Sequence, residues 1–299
     1  MYALVKCCLV LLVATAAYSF ALGPQDVVFH LFTRGNPELS EPFLPTVESI
    51  ETTEHFALNK RTIFTVHGHS DSAGGNANAF LIPAHLSSED VNVIAVDWSP
   101  GAGFYSEGLG NAPQVGQVIA TFINILIETF GYDAELIRIV GIGLGGHIAG
   151  IAARKTNSVI PHIVAIDPTL IGWTHHTEKL NPRSARVVEV LHATAGLLGY
   201  DYPLGTIDFY PNGGTVQTGC GFDTSCSHTL AYAFYAESLT SEVNGGERFI
   251  GTKCEDYEQA TRLECNGDRD ANFGGTDVKT TETGIYTFIT NLSPPFARG

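Results

Sequence analysis

Residues 135–154 read ELIRIVGIGLGGHIAGIAAR. A β-branched apolar run enters a glycine-rich turn and leaves it as an apolar stretch of helical character. This succession predicts a strand that passes directly into a helix, the unit from which parallel sheets are built. The pattern recurs along the chain. Strands are predicted at 27–32, 62–66, 92–97, 137–140, 162–166, 187–191 and 206–210, and helices at 113–130, 145–155 and 228–239. Strand and helix alternate from 92 to 166, which points to an α/β chain with a mainly parallel central sheet flanked by helices. Ligands of such sheets bind beyond the carboxyl ends of the strands. The candidates there are Val66-His67-Gly68, Val96-Asp97-Trp98, Val140-Gly141 and Ile166-Asp167-Pro168.

The glycine turn fits two known frames. Gly141-Ile142-Gly143-Leu144-Gly145 has the outer glycines of G-x-S-x-G, the turn that lifts a nucleophilic serine between a strand and a helix. Its centre is Gly143, which has no hydroxyl to attack a carbonyl. Gly141, Gly143 and Gly146 also satisfy G-x-G-x-x-G, and Asp167 follows at the distance expected of a ribose-binding acid. That frame implies NAD and an oxidoreductase. Context weakens it, because two strand-turn units precede the glycines and Asp167 runs into Pro168.

A serine-type catalytic set runs nucleophile, acid, histidine in such folds. Asp167 ends the next predicted strand after position 143, and His228 follows in Cys226-Ser227-His228. An acid there can orient an imidazole and stabilise its charged form. The turn His67-Gly68-His69 and the N–H of Leu144 are candidate donors to an oxyanion. Ser70, Ser72 and Ser227 are the alternative hydroxyls, each better read as a solvated or capping group. His67, His69 and Asp71 form H-x-H-x-D, a run met in zinc sites, but Ser72 stands where a further histidine is expected. No metal is expected. His147, His175 and His176 read as surface or hydrogen-bonded histidines.

Lys6, the apolar run 7–17 and small residues after it predict a secretion signal over 1–21, cleaved after Ala16 or Ala21. The remainder, 22–299, is expected to be a single domain of a secreted, extracellular protein with no integral membrane association. Cys220, Cys226, Cys254 and Cys265 remain after cleavage. Three disulfide pairings are open, and the spacings favour Cys220 with Cys226 and Cys254 with Cys265. A net charge of −15 argues against a nucleic-acid partner. Asn291-Leu292-Ser293 is a glycosylation sequon followed by Pro294.

Taken together, VVFHLFTRGNPE (27–38), FTVHGH (64–69), VIAVDWSPGA (93–102), IRIVGIGLGGHIAG (137–150), AIDPT (165–169), GCGFDTSCSH (219–228) and SPPFARG (293–299) resemble the secreted neutral lipases related to pancreatic lipase, especially insect members. The resemblance implies an α/β-hydrolase fold with Asp167 and His228 as triad acid and base. It implies an oxyanion hole lined by Gly68, His69 and Leu144, and no cofactor. It also implies a disulfide-closed lid of Cys220, Gly221, Phe222, Asp223, Thr224, Ser225 and Cys226. The chain departs from that pattern at Gly143, where serine is usual, at Ile142, where histidine is usual, and at His69, where a large aromatic is usual. Its lid is short, as in phospholipases A1, and the C-terminal β-sandwich is expected to be absent. Loss of the serine is shared with insect yolk proteins, a non-catalytic branch. The expectation is therefore a lipase-like protein that binds or stores a lipid or other apolar ligand, or serves as a protein reserve. The competing expectation is an ester hydrolase with another nucleophile.

Overall fold

The strands predicted across the middle of the chain are present because each is an apolar run that can be buried on both faces. In the computed structural model, which describes residues 22–299, β3 (Thr62–Val66), β5 (Ile137–Ile142), β6 (His162–Ile166), β7 (Val187–Leu191) and β8 (Ile207–Pro211) are buried at every position. The expected leader, 1–21, lies outside the described residues. β1 (Val28–Phe32) instead alternates, with Phe29 and Leu31 turned inward, as suits a strand near an edge.

With β2 (Glu41–Phe43), β4 (Asn92–Asp97), β9 (Ile250–Cys254), β10 (Arg269–Asn272) and β11 (Gly284–Phe288) these strands form one eleven-stranded sheet. Its order is β10-β9-β11-β8-β7-β6-β5-β3-β4-β1-β2. The strands from β4 to β11 in this order run parallel. Antiparallel pairs close both ends. This is the mainly parallel α/β sheet expected, flanked by helices.

The helices are α1 (Val47–Glu51), α2 (Asn76–Ser88), α3 (Tyr105–Phe130), α4 (Leu144–Lys155), α5 (Thr224–Asn244) and α6 (Tyr257–Arg262). Because successive side chains of a strand point to opposite faces, two cores form. Phe64, Val66, Ile139 and Ile163 pack with Ile119, Phe122, Ile148 and Ile151 of α3 and α4. Ile63, Val140, Ile142 and Val164 pack with Leu81 of α2 and Tyr235 and Leu239 of α5.

Several boundaries differ from expectation. The helix expected from Pro113 begins at Tyr105, with Pro113 inside it. Burial of Gly108, Asn111, Ala112 and Val115 along one side outweighs the missing proline N–H. The helix expected from 228 begins at Thr224, where the Asp223 carboxylate caps the Cys226 N–H at 3.0 Å. It runs on to Asn244 and stops at Gly245, which has φ 66°. The Gly143 turn leaves β5 later than expected, after Ile142.

Strand order places the site. From β3 the chain moves outward to β4, then returns to lay β5 on the other side of β3. The crevice between the carboxyl ends of β3 and β5 is the topological switch point of the sheet. His67–His69 leave one side of it and Gly143 the other.

Candidate functional site

The three outer glycines of the turn and the central one serve different needs. A Cβ on Gly141 would sink into the Gly145 carbonyl, and one on Gly145 into the Val66 carbonyl. Strand, turn and helix approach too closely there for any side chain. Gly146 is tight as well, with a Cβ falling 3.1 Å from Pro168 Cβ. Gly143 has room. A Cβ there would meet Cε1 and Nε2 of His228 at 3.6 and 3.7 Å and Cγ2 of Thr169 at 3.7 Å. These are ordinary contacts. What Gly143 does have is a backbone at φ 57° and ψ −116°, a conformation glycine adopts without the strain other residues incur. Position 143 thus combines a positive φ with room for a side chain that would face His228.

Asp167 and His228 are brought together. His228 Nδ1 lies 2.7 Å from Asp167 Oδ2. A carboxylate accepts only, so Nδ1–H donates to it, and the Cε1–Nε2 edge of the ring faces Gly143. Asp167 is 1% exposed and has φ 47°. Ala193 and Thr194 N–H donate to its Oδ1 at 2.8 and 2.9 Å, and the Thr194 hydroxyl donates to Oδ2 at 2.6 Å. Burial pushes this carboxyl up. The hydrogen bond and charge of His228 and the Thr194 and Ala193 donors outweigh it and hold the group below the usual range. Both oxygens are occupied, so Asp167 has no free edge for a ribose.

His69 and Leu144 border the same cavity, which has a volume of about 380 Å³. Leu144 is the first residue of α4, so its N–H belongs to the donor-rich end of a helix. Gly68 packs so that a Cβ would lie 3.0 Å from the Ile142 carbonyl, which joins the turns after β3 and β5. The His69 ring donates from Nδ1 to the Ala102 carbonyl, 3.0 Å away, and sits edge-on to Tyr105. The walls of the cavity include Tyr105, Ile171, Leu198 and Tyr232.

The structure places the segment 220–226 beside the cavity at the start of α5. Thr224–Cys226 are the first turn of α5, and of the segment 220–226 only Ser225 lines the cavity. Phe222 projects at its tip, 98% exposed. Cys220 is bonded to Cys226 and Cys254 to Cys265. These are the pairings the spacings favoured, and all four thiols are consumed in them.

Other candidates are engaged elsewhere. Ser227 is buried and accepts from Gln217 N–H at 3.0 Å. Ser70 lines the cavity, but its hydroxyl donates to the Gly103 carbonyl at 3.1 Å and contacts the His69 ring. Ser72 is not among the cavity residues. His67 holds the loop backbone, contacting the Gly68 carbonyl at 2.9 Å and accepting from Trp98 N–H at 3.1 Å. Among the described residues no group of three or more His, Cys, Asp or Glu is placed to hold a metal.

His147 is not a surface group. It is fully buried, stacks on Trp173 at 4.0 Å, donates Nε2–H to the Thr169 carbonyl at 2.7 Å and accepts from Leu180 N–H at 3.2 Å. Burial lowers its pKa to about 3, so it is neutral and braces the Thr169 wall. Thr194 and Thr169 are site residues that sequence reading missed. Thr169 lies two residues beyond Asp167 in AIDPT, a proximity that was the available signal. Thr194 lies on a different strand end and gave none.

The profile of the family described as Lipase matches residues 15–296. The chain belongs to the lipase family. Pancreatic triacylglycerol lipase of Cavia porcellus is 29% identical over 267 residues, covering 80% of this chain and 56% of that protein. Lipoprotein lipase of Homo sapiens is 31% identical over 258 residues, covering 77% and 54%. The lipase-family chain thus spans a little over half the length of the curated relatives it matches. Among solved structures, an acetyl xylan esterase from Aspergillus awamori is similar over 60% of this chain and 71% of its own, at 10% identity and a TM-score of 0.40. That likeness is too loose to add to what the sheet order shows. Among the described residues no helix is long and apolar enough to cross a membrane.

Proposed function

We propose that this lipase-family protein is a non-catalytic member that binds or stores an apolar ligand, or serves as a protein reserve, outside the cell. The observation that supports it is Gly143. The position that faces His228 has space for a side chain and carries none. Acyl transfer in this family's pattern needs an oxygen nucleophile at that apex. The acid, the base and the apolar cavity remain, as they would if the pocket were kept for binding or the fold alone for storage. A buried aspartate–histidine pair persists without catalysis, since removing one partner strands the other at a cost of about 3–5 kcal/mol. Lack of the serine makes the chain similar to the yolk-protein branch. The leader expected at 1–21 and the two disulfides support secretion.

The test is hydrolysis of short- and long-chain esters by purified protein. The expected rate is far below that of lipases. Binding and oxyanion contacts alone leave about 10³–10⁴-fold acceleration over water in serine hydrolases stripped of a triad member, so trace turnover fits the proposal. Turnover at lipase-like rates would overturn it and point to an ester hydrolase with a different nucleophile.

A further inference from the structure

We infer that residues 274–283 form an acid-released strap, closed over the amino ends of the strands at neutral pH and lifted by acid while the sheet behind it holds. The strap joins β10 to β11 at the end of β5 away from Gly143, so it is independent of what the cavity binds. From Gly274 to Thr283 no backbone group bonds to another backbone group among the described residues. Side chains hold the segment instead. Glu189 Oε1 accepts from Gly274 N–H at 2.7 Å, and the Ser238 hydroxyl accepts from Gly275 N–H at 3.1 Å. Lys279 donates to Glu189 Oε2 at 2.9 Å and to the Gly274 carbonyl at 2.6 Å. Arg138 donates to the Gly275 and Thr276 carbonyls, and Arg61 to that of Thr276. A cleft of about 490 Å³ is shared by Gly275 and Lys279 of the strap with Ile250 and Asn272 of β9 and β10. Such a segment can open alone, at less cost than a strand.

Glu189, which holds the strap twice, also faces His162. His162 Nε2 lies 3.2 Å from Glu189 Oε2. A carboxylate accepts only, so Nε2 carries the proton of the neutral ring. The vacant nitrogen is Nδ1, which is buried and without a partner. A second proton there would have no acceptor while the strap is closed. When the strap lifts, Lys279 leaves Glu189 and water reaches the ring. His162 then takes a proton from solution at Nδ1 and, now charged, replaces Lys279 as the partner of Glu189.

The surrounding charges set the direction. Arg138 is the register partner of His162 on β5, and Lys279 approaches from the strap. Behind Arg138 lie His85 of α2, Tyr235 of α5 and Arg61, whose guanidinium is paired with Glu89 at 2.7 Å. Glu189 alone attracts a charged His162. Burial first, then Arg138, lower the ring to about 4 against that pull. Once open to water it titrates near its ordinary 6.5. The open strap therefore binds the extra proton below about pH 6.5, and the closed one only near 4. Opening gains about tenfold per pH unit in that window. Burial pushes Glu189 up, but Lys279, His162 and Gly274 N–H outweigh it and hold it at about 2, so it stays charged over that range in the closed form.

Hydrogen exchange of the full protein, read by mass spectrometry at pH 7.5, 6 and 5 and corrected for the intrinsic pH dependence of exchange, tests this. The Gly274 and Gly275 amides are expected to lose about 30-fold of their protection between pH 7.5 and 5, ahead of the amides of β5 and β6. His162→Gln keeps a donor to Glu189 but takes up no proton, and is expected to flatten the response of the strap. The native protein decides even if that variant does not fold. Strap protection that is unchanged with pH, that is already absent at pH 7.5, or that falls in step with β5 and β6 overturns the proposal. A response that survives His162→Gln overturns it as well.

Discussion

A Cβ placed on Gly143 falls 3.7 Å from Nε2 of His228. One further bond would bring a hydroxyl within hydrogen-bonding reach of that nitrogen. The positions of His228 and Asp167 therefore suit a serine at 143.

Gly143→Ser is accordingly expected to gain esterase activity, by about 10²-fold or more over the native protein on a short-chain ester. The positive φ imposes strain of about 1–3 kcal/mol on the new residue. The checks are initial rates with p-nitrophenyl butyrate and a urea melt of both proteins. If activity does not rise while the fold is retained, the pocket has drifted out of catalytic register.

Alanine at the glycines separates steric need from backbone need. Gly143→Ala is expected to cost about 1–3 kcal/mol, from its φ of 57° alone. Gly145→Ala drives a methyl into the Val66 carbonyl and is expected to cost more, or to prevent folding. Equal midpoints in urea for the two variants would contradict the close approach described between helix and strand.

Asp167 is a structural anchor whether or not the site does chemistry. Asp167→Ala leaves the buried Ala193 and Thr194 N–H groups without their acceptor. A loss of about 3–5 kcal/mol is expected, against about 1–2 kcal/mol for Thr194→Val, which removes one hydroxyl. Chemical denaturation measures both.

Acid weakens the fold through buried histidines. Burial lowers His85 and His147 to about 3 and His162 to about 4. The unfolded chain takes up protons at these side chains below about pH 6.5 while the folded chain does not. Their contribution is whole above that pH and is lost as pH falls toward 4, by up to about 1.4 kcal/mol per pH unit for each. Asp167, held low, adds a loss only below about pH 4. Urea midpoints at pH 7.5, 6 and 5 are expected to fall in that order, and flat midpoints would contradict the buried neutral state.

Much of the sheet was legible because its inner strands are continuous apolar runs, as in Ile137–Ile142 and His162–Ile166. β9 and β10 were not, since IGTKC and RDAN carry no apolar periodicity and exist by pairing at the sheet edge. α2 was hidden by Gly74, Gly75 and Pro83, and is held by burial of Ala77, Leu81 and Ala84. In the site, Asp167 and His228 could be read from chain order and strand ends. Thr194 and the brace from His147 to the Thr169 carbonyl could not, because the fold alone brings those residues together.

The most direct test of the central claim is intact-mass spectrometry of the native protein after incubation with an alkyl fluorophosphonate, beside Gly143→Ser treated in the same way. The account predicts no adduct on the native chain and a single adduct on the variant. A stoichiometric adduct on the native chain, at any residue lining the cavity, would contradict it.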